Sequence, residues 1–324
     1  MTARRAGVGR WALAILVAGA LFVGVGLVFD RGVGPLLARE ECVAEVDGHT
    51  VRLSPEQAEN AALIVAISVQ RGMPARAASI ALATAYQESK ILNISYGDRD
   101  SLGLFQQRPS QGWGTREQVT NPYFATNAFY DALDKIGDYT ALPITVAAQE
   151  VQRSAYPDAY ADHEKDARTL ASALTGHSPQ AFTCVVDQDA SAASLELTET
   201  GLTARADLVR RDVEAAFGPR SFGGFAPGGV REGHMKGSAH YEGRAVDVFV
   251  RPVSPDNRRL GWAMAHYFVA QAARLDIQTV IFDDRIWQAR RSDDGWRDYR
   301  VPRSSSGDRA ILEHRDHVHV DVPA

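Results

Sequence analysis

The chain has 324 residues, 45% apolar and 23% charged, with a formal net charge of -5. Its length suits two ordinary domains, its composition excludes wholesale disorder, and its negative balance disfavours a nucleic-acid partner. With only two cysteines, Cys42 and Cys184, it is neither a disulfide-rich scaffold nor a cysteine-based zinc knuckle.

Trp11 to Phe29 is a run of 19 uncharged, mostly apolar residues preceded by Arg4, Arg5 and Arg10. At about 1.5 Å per helical residue it nearly spans a hydrocarbon core of ~30 Å. The arginines place the start of the chain on the cytoplasmic side. The reading is a single-pass transmembrane anchor within residues 1–34 and extracellular domains beyond it. A cleaved signal peptide, giving a secreted chain, is the alternative. In an oxidising compartment Cys42 and Cys184 are each other's only candidates, which predicts one disulfide closing the block 42–186.

Within that block Ser54-Pro55-Glu56-Gln57 reads as a helix start: a capping Ser, a Pro at the first helical position and Gln57 completing the box. This helix runs to about Gln70. A second covers about Ala75 to Lys90, and helical patterns recur at Pro122–Ile136 and Thr145–Ser154. No strong strand run is visible before Cys184, so the block reads as all-α.

Near the end of the second helix Glu88 follows an apolar stretch. A carboxyl against an apolar wall has a raised pKa and can donate a proton near neutral pH. Gln87-Glu88-Ser89 is followed by Ser101-Leu102-Gly103-Leu104-Phe105-Gln106-Gln107. This pair of motifs resembles the lysozyme-like lytic transglycosylases, over roughly 100 residues to about Asp166. The resemblance implies that Glu88 is the acid/base for a glycan bond. It also implies that Ser101, Gly103, Leu104, Phe105 and Gln106 line the sugar groove. Trp113 is either a sugar-stacking platform or a core packing residue. Asp98 and Asp100 either position water or cap their turn. The Tyr-Asn motif of many relatives is not visible, and Gln149 to Tyr156 is the stretch that could take its place.

Residues 187–199 read as a linker and 200–324 as an α+β domain. A helix is expected at about Ala204–Phe217 and another at Asn257–Leu275. Strands are expected at Arg244–Val250, Thr279–Phe282 and His317–Val322. Six of the nine histidines fall in the last 91 residues. Alternation along the strands puts Val246, Val248 and Val250 opposite Asp247, and Val318, Val320 and Val322 opposite His317 and His319.

Two imidazoles and one carboxylate with an open fourth position form the ligand set of a catalytic zinc. Ser238-Ala239-His240, Asp247 and Asp316-His317-Val318-His319 resemble the pattern of the LAS zinc peptidases (lysostaphin, D-Ala-D-Ala peptidases, hedgehog). The resemblance spans about 220 to 323. It implies Zn2+ held by His240, Asp247 and His319. Asp316 is the preferred general base and His317 a substrate or transition-state contact. His234 and His266 read as loop and core histidines. The two resemblances meet on one substrate, peptidoglycan, and the whole chain is expected to be a membrane-anchored, two-domain cell-wall hydrolase. A wall-binding protein with decayed sites is the alternative.

Overall fold

The computed structural model describes residues 40–154, 158–187, 194–301 and 306–324, and Glu40–Ala324 forms one compact unit. Among the described residues no helix is long and apolar enough to cross a membrane. The expected span at Trp11–Phe29 lies outside the described residues. The reading of a single-pass membrane protein is therefore withdrawn.

The first half is not all-α. It opens with strands β1 (Glu41–Val46) and β2 (His49–Leu53), and β3 (Phe182–Val185) closes a three-stranded sheet in the order β2-β1-β3. Asp47 and Gly48 join β1 to β2 with φ of 51° and 74°. Two left-handed residues make the turn whose twist matches a hairpin, and Asp-Gly between alternating apolar residues is its sequence mark. Cys42, Ala44, Val51 and Leu53 are buried while their neighbours face out.

Helices α1 (Pro55–Gln70) and α2 (Ala75–Ser89) form the centre of this half. Ser54 caps α1, and Gln57 returns the bond to the Ser54 backbone, as the sequence implied. Four further helices follow: α3 (Arg116–Val119), α4 (Pro122–Leu133), α5 (Ile144–Gln152) and α6 (Glu164–Leu174).

The second half begins with α7 (Ala204–Phe217) and carries a six-stranded antiparallel sheet in the order β4-β5-β9-β6-β7-β8. Its strands are β4 (Phe222–Gly223), β5 (Ala245–Phe249), β6 (Thr279–Phe282), β7 (Arg285–Gln288), β8 (Arg297–Asp298) and β9 (His317–Asp321). Helix α8 (Pro255–Ala270) packs on β6 and β9, with the short α9 (Ala272–Leu275) and α10 (Arg309–Leu312) at the edges. Val246, Val248, Val318 and Val320 fill the helix side of the sheet.

The expected disulfide forms. Cys42 and Cys184 are direct partners in the β1–β3 ladder and are bonded. The bridge ties residues 142 apart. On the chain-entropy account such a loop is worth about 5 kcal/mol. A double Cys42→Ala, Cys184→Ala variant is expected to lose stability of that order in urea unfolding. A loss under 1 kcal/mol would place the constraint elsewhere.

The two halves share one buried seam. Trp287 donates its indole N–H to the Cys184 carbonyl (3.3 Å), and Trp296 donates to that of Phe182 (2.8 Å). Helix α8 lies along α1, with the Gln271 amide donating to the Glu59 carbonyl. At the centre of the seam His266 is fully buried among Phe182, Trp262 and Trp296.

Its Nδ1 stands 2.8 Å from the Ala173 carbonyl and so carries the proton. Burial pushes His266 down to about 4 from 6.5. Folding therefore favours the neutral ring. The stability this adds is complete above pH 6.5 and is lost as pH falls toward 4, on the order of 3 kcal/mol. Unfolding measured from pH 7 to 4 is expected to show this slope, and a His266→Asn variant to flatten it.

Candidate functional site

Two clusters of chemistry-bearing side chains stand out. The first is built on the last turn of α2. Glu88 is half-buried there, and burial raises its pKa above the ordinary glutamate value against the opposing hydrogen bonds of Tyr160 and Gln152. The Tyr160 hydroxyl donates to Glu88 Oε1 at 2.7 Å. Burial, reinforced by the Glu88 charge, holds that phenol well above its usual range, so it remains a donor.

The 101–107 segment wraps this helix end rather than forming a groove with its side chains. Leu104 and Phe105 are fully buried, Phe105 stacking on Phe129 at 4.6 Å, and Ser101 is also buried. These three side chains are packing residues, which corrects their assignment to the sugar groove. Ser89 Oγ donates to the Leu104 carbonyl (2.8 Å) and the Gln152 amide to that of Phe105 (2.7 Å). Both bonds fix the loop to the acid.

Gly103 turns with φ of 75° against the Val119 carbonyl, and the Gln106 amide donates back to Tyr96 and Gly103 within the loop. Trp113 is half-buried against the core. Asp100 caps its turn: the Ser110 N–H, Arg108 and the Ser110 hydroxyl bond it, holding its carboxyl well below the usual range. Asp98 is fully solvated beside Arg99.

No local pattern announced Tyr160, which approaches from the 3-10 turn Ala159–His163 across 72 residues. Within the stretch expected to replace the Tyr-Asn motif, Gln149 and Ser154 bond to each other. Ala155 and Tyr156 lie outside the described residues.

The second cluster lies on the open face of the six-stranded sheet. Asp247 on β5 pairs directly with His319 on β9, so both side chains project from the same face. His240 enters from the 3-10 turn Ala239–Glu242. Three atoms converge: His240 Nε2 to His319 Nδ1 is 3.1 Å, His240 Nε2 to Asp247 Oδ1 is 3.2 Å, and His319 Nδ1 to Asp247 Oδ1 is 3.1 Å. A tetrahedral ion with bonds near 2.0–2.1 Å separates its ligands by about 3.3 Å, so the triangle has the required size.

Each imidazole is braced from behind. His240 Nδ1 meets the Gly224 carbonyl at 2.8 Å, which leaves Nε2 as the free lone pair. His319 Nε2 meets Asp321 at 3.1 Å. Burial works to raise the Asp247 carboxyl, but the bonds and charge of His240 and His319 hold it well below the usual range. Burial likewise opposes charge on His319, yet Asp247 and Asp321 lift it to about 10. The pair of carboxylates thus demands positive charge here, which a proton or a metal ion satisfies.

His234 belongs to this group. Its ring stacks on His240 with centroids 3.9 Å apart, and Tyr241 clamps its backbone. One ligand atom each from His234, His240 and Asp247 lies within 4.8 Å of the others, a set able to hold a metal ion. The reading of His234 as an ordinary loop histidine is corrected. Its loop is rich in glycine and folds back over the sheet, which spacing along the chain does not reveal.

Residues 198–309 match the family described as VldE, C-terminal domain. The match takes in His234, His240 and Asp247 and stops before His314, covering less than half of the chain. No curated protein matches the chain.

Asp316 does not stand free as a base. Its Oδ1 lies 2.7 Å from His317 Nδ1 and its Oδ2 2.6 Å from Arg251 Nε. It lies in the bend just before β9, where its carboxylate is taken up by His317 and Arg251. His317 Nε2 points the other way, 3.8 Å from Asp247 Oδ1. His317 lines the cleft, and Asp316 contacts the Nδ1 side of its ring. The half-buried ring of His314 packs against His317 with centroids 4.7 Å apart. Together these groups floor a cleft of about 580 Å3.

Proposed function

We propose that this chain is a peptidoglycan hydrolase with two centres, one for the glycan and one for the stem peptide. The observation that carries the peptide half is the 3.1–3.2 Å triangle of His240 Nε2, Asp247 Oδ1 and His319 Nδ1 at the floor of an open cleft. The substrate class rests on the resemblance of the two motif sets to wall-cleaving families.

Zinc suits two imidazoles and a carboxylate, and when bound it supplies Lewis-acid polarisation of a carbonyl and a water of lowered pKa. The chain's own residues do the rest. Asp316 keeps His317 Nδ1 protonated and Nε2 free. His317 Nε2 takes the proton of the attacking water and passes it to the departing amine as the peptide bond breaks.

At the other centre Glu88 carries the proton. Its carboxyl protonates the bridging glycosidic oxygen as the C–O bond breaks, and the resulting carboxylate takes the proton of the attacking hydroxyl. Tyr160 and Gln152 hold that carboxyl in place throughout.

Digestion of purified sacculi, with separation of the muropeptides, tests both halves. Glu88→Gln is expected to leave peptide cleavage and remove glycan cleavage, and His240→Ala to do the reverse. Anhydro-sugar ends would identify an internal hydroxyl as the attacking group, and reducing ends water. Sacculi unchanged by the wild-type chain would overturn the hydrolase reading in favour of wall binding.

A further inference from the structure

The wall of the metal cleft carries a guanidinium whose outer edge has no partner among the described residues. Arg251 lies just past β5 and lines the cleft, its side chain about half exposed. Two contacts hold it. Its Nε donates to Asp316 Oδ2 at 2.6 Å, and its guanidinium carbon sits 3.9 Å from the Phe249 ring centroid. Neither contact uses Nη1 or Nη2.

The other basic side chains of the cleft differ. Arg244 is spent on Glu242 and the Val322 carbonyl, and Lys236 rides on the glycine-rich loop. Arg251 is thus a pre-oriented fork, connected through Asp316 and His317 to the ligand Asp247 by steps of 2.6, 2.7 and 3.8 Å.

A planar fork of parallel N–H donors matches a carboxylate, which it binds with two bonds. Stacking on Phe249 and the bond to Asp316 settle most of the arginine's rotamer entropy in advance, so little is lost on binding. The neighbouring wall, formed by Val301, Ile311 and Leu312, is apolar and suits an aliphatic side chain.

We infer that Arg251 is the specificity residue of the metal centre and receives a substrate carboxylate beside the scissile bond. The inference rests on the peptidase reading above. It makes this centre selective for peptides that carry a free carboxylate near the cut. A stem-type peptide offers that group in two places, its C-terminus and an acidic side chain.

The test uses the full, zinc-loaded chain and three short peptides: one with both carboxylates free, one with the C-terminus amidated, and one with the acidic side chain amidated. Binding is read by calorimetry and cleavage by kcat and KM, alongside zinc content. Amidating the recognised carboxylate is expected to weaken binding about 10- to 100-fold, chiefly in KM. Arg251→Lys, which keeps the charge and loses the fork, is expected to erase most of that discrimination at unchanged zinc content.

Which amide loses affinity identifies the carboxylate. Equal handling of all three peptides by the wild type overturns the inference while leaving the peptidase reading intact. So does an Arg251→Lys variant that slows all three equally, since that marks a residue serving only to hold Asp316. Failure to bind or cut any of the three overturns both readings.

Discussion

Placing a methyl group on Gly224 is expected to disrupt the candidate metal centre without replacing any of its ligand residues. A Cβ there would lie 2.2 Å from His240 Cε1, 2.3 Å from its Nδ1 and 3.0 Å from Asp247 Oδ2. The backbone at Gly224 has φ of 80°, a conformation that costs an L-residue energy even in open space. Its carbonyl is also the group that fixes the His240 tautomer.

In Gly224→Ala the imidazole must move away, and both its position and its proton assignment are lost. Loss of such a brace lowers metal affinity by about 10- to 100-fold, and displacement of the ligand itself adds to that. Competition with a chelator is expected to show a fall of at least about 100-fold, while circular dichroism stays near wild type. An alanine variant with wild-type zinc affinity would remove Gly224 and His240 from the site.

Glu88→Gln is expected to lose glycan cleavage by about 100- to 10,000-fold, the usual contribution of a positioned general acid. The same change is expected to stabilise the chain at neutral pH. Burial raises the Glu88 pKa, so folding favours its neutral form. The stability contributed by that neutral form is complete below the ordinary value of 4.5 and is lost as pH rises through the folded value. Glutamine is neutral at every pH and can still accept the Tyr160 hydrogen bond.

The variant should therefore match the wild type in melting temperature near pH 4 and exceed it at pH 7. A lower melting temperature at pH 7 would mean that the Glu88 carboxylate stabilises the fold and is no strained acid. Tyr160→Phe gives an independent check. The Tyr160 hydrogen bond lowers the Glu88 pKa, so removing it should move the alkaline limb of the activity profile to higher pH.

The second centre was legible in sequence to an unusual degree because strand alternation is a strict rule. Once His317-Val318-His319 and Val246-Asp247-Val248 are read as strands with valines inward, the imidazoles and the carboxylate must share the outer face. The structure adds the register, Asp247 opposite His319, that makes them neighbours. His240 came from motif resemblance, and its place is set by a turn that spacing cannot predict.

Asp316 lies just before β9 and is bonded to both His317 and Arg251, contacts that motif spacing does not reveal. In the first half the Asp47-Gly48 hairpin was written in the sequence, but its strands are short and were overshadowed by the helices around them. The 101–107 segment packs against the helix end that carries Glu88. Leu104 and Phe105 matter because they are buried, which a motif does not disclose.

By itself, then, the sequence determined what depends on local period and chemistry. That includes the caps of α1, the inward valines, the lone pair of cysteines and the candidate acid at Glu88. Tertiary structure decided what depends on contacts between segments separated along the chain: Tyr160 on Glu88, Gly224 against His240, Trp287 and Trp296 on β3. Local rules are set by backbone geometry within a few residues and can be read along the chain. Those contacts join residues up to 114 positions apart, and only the packed core selects which of them meet.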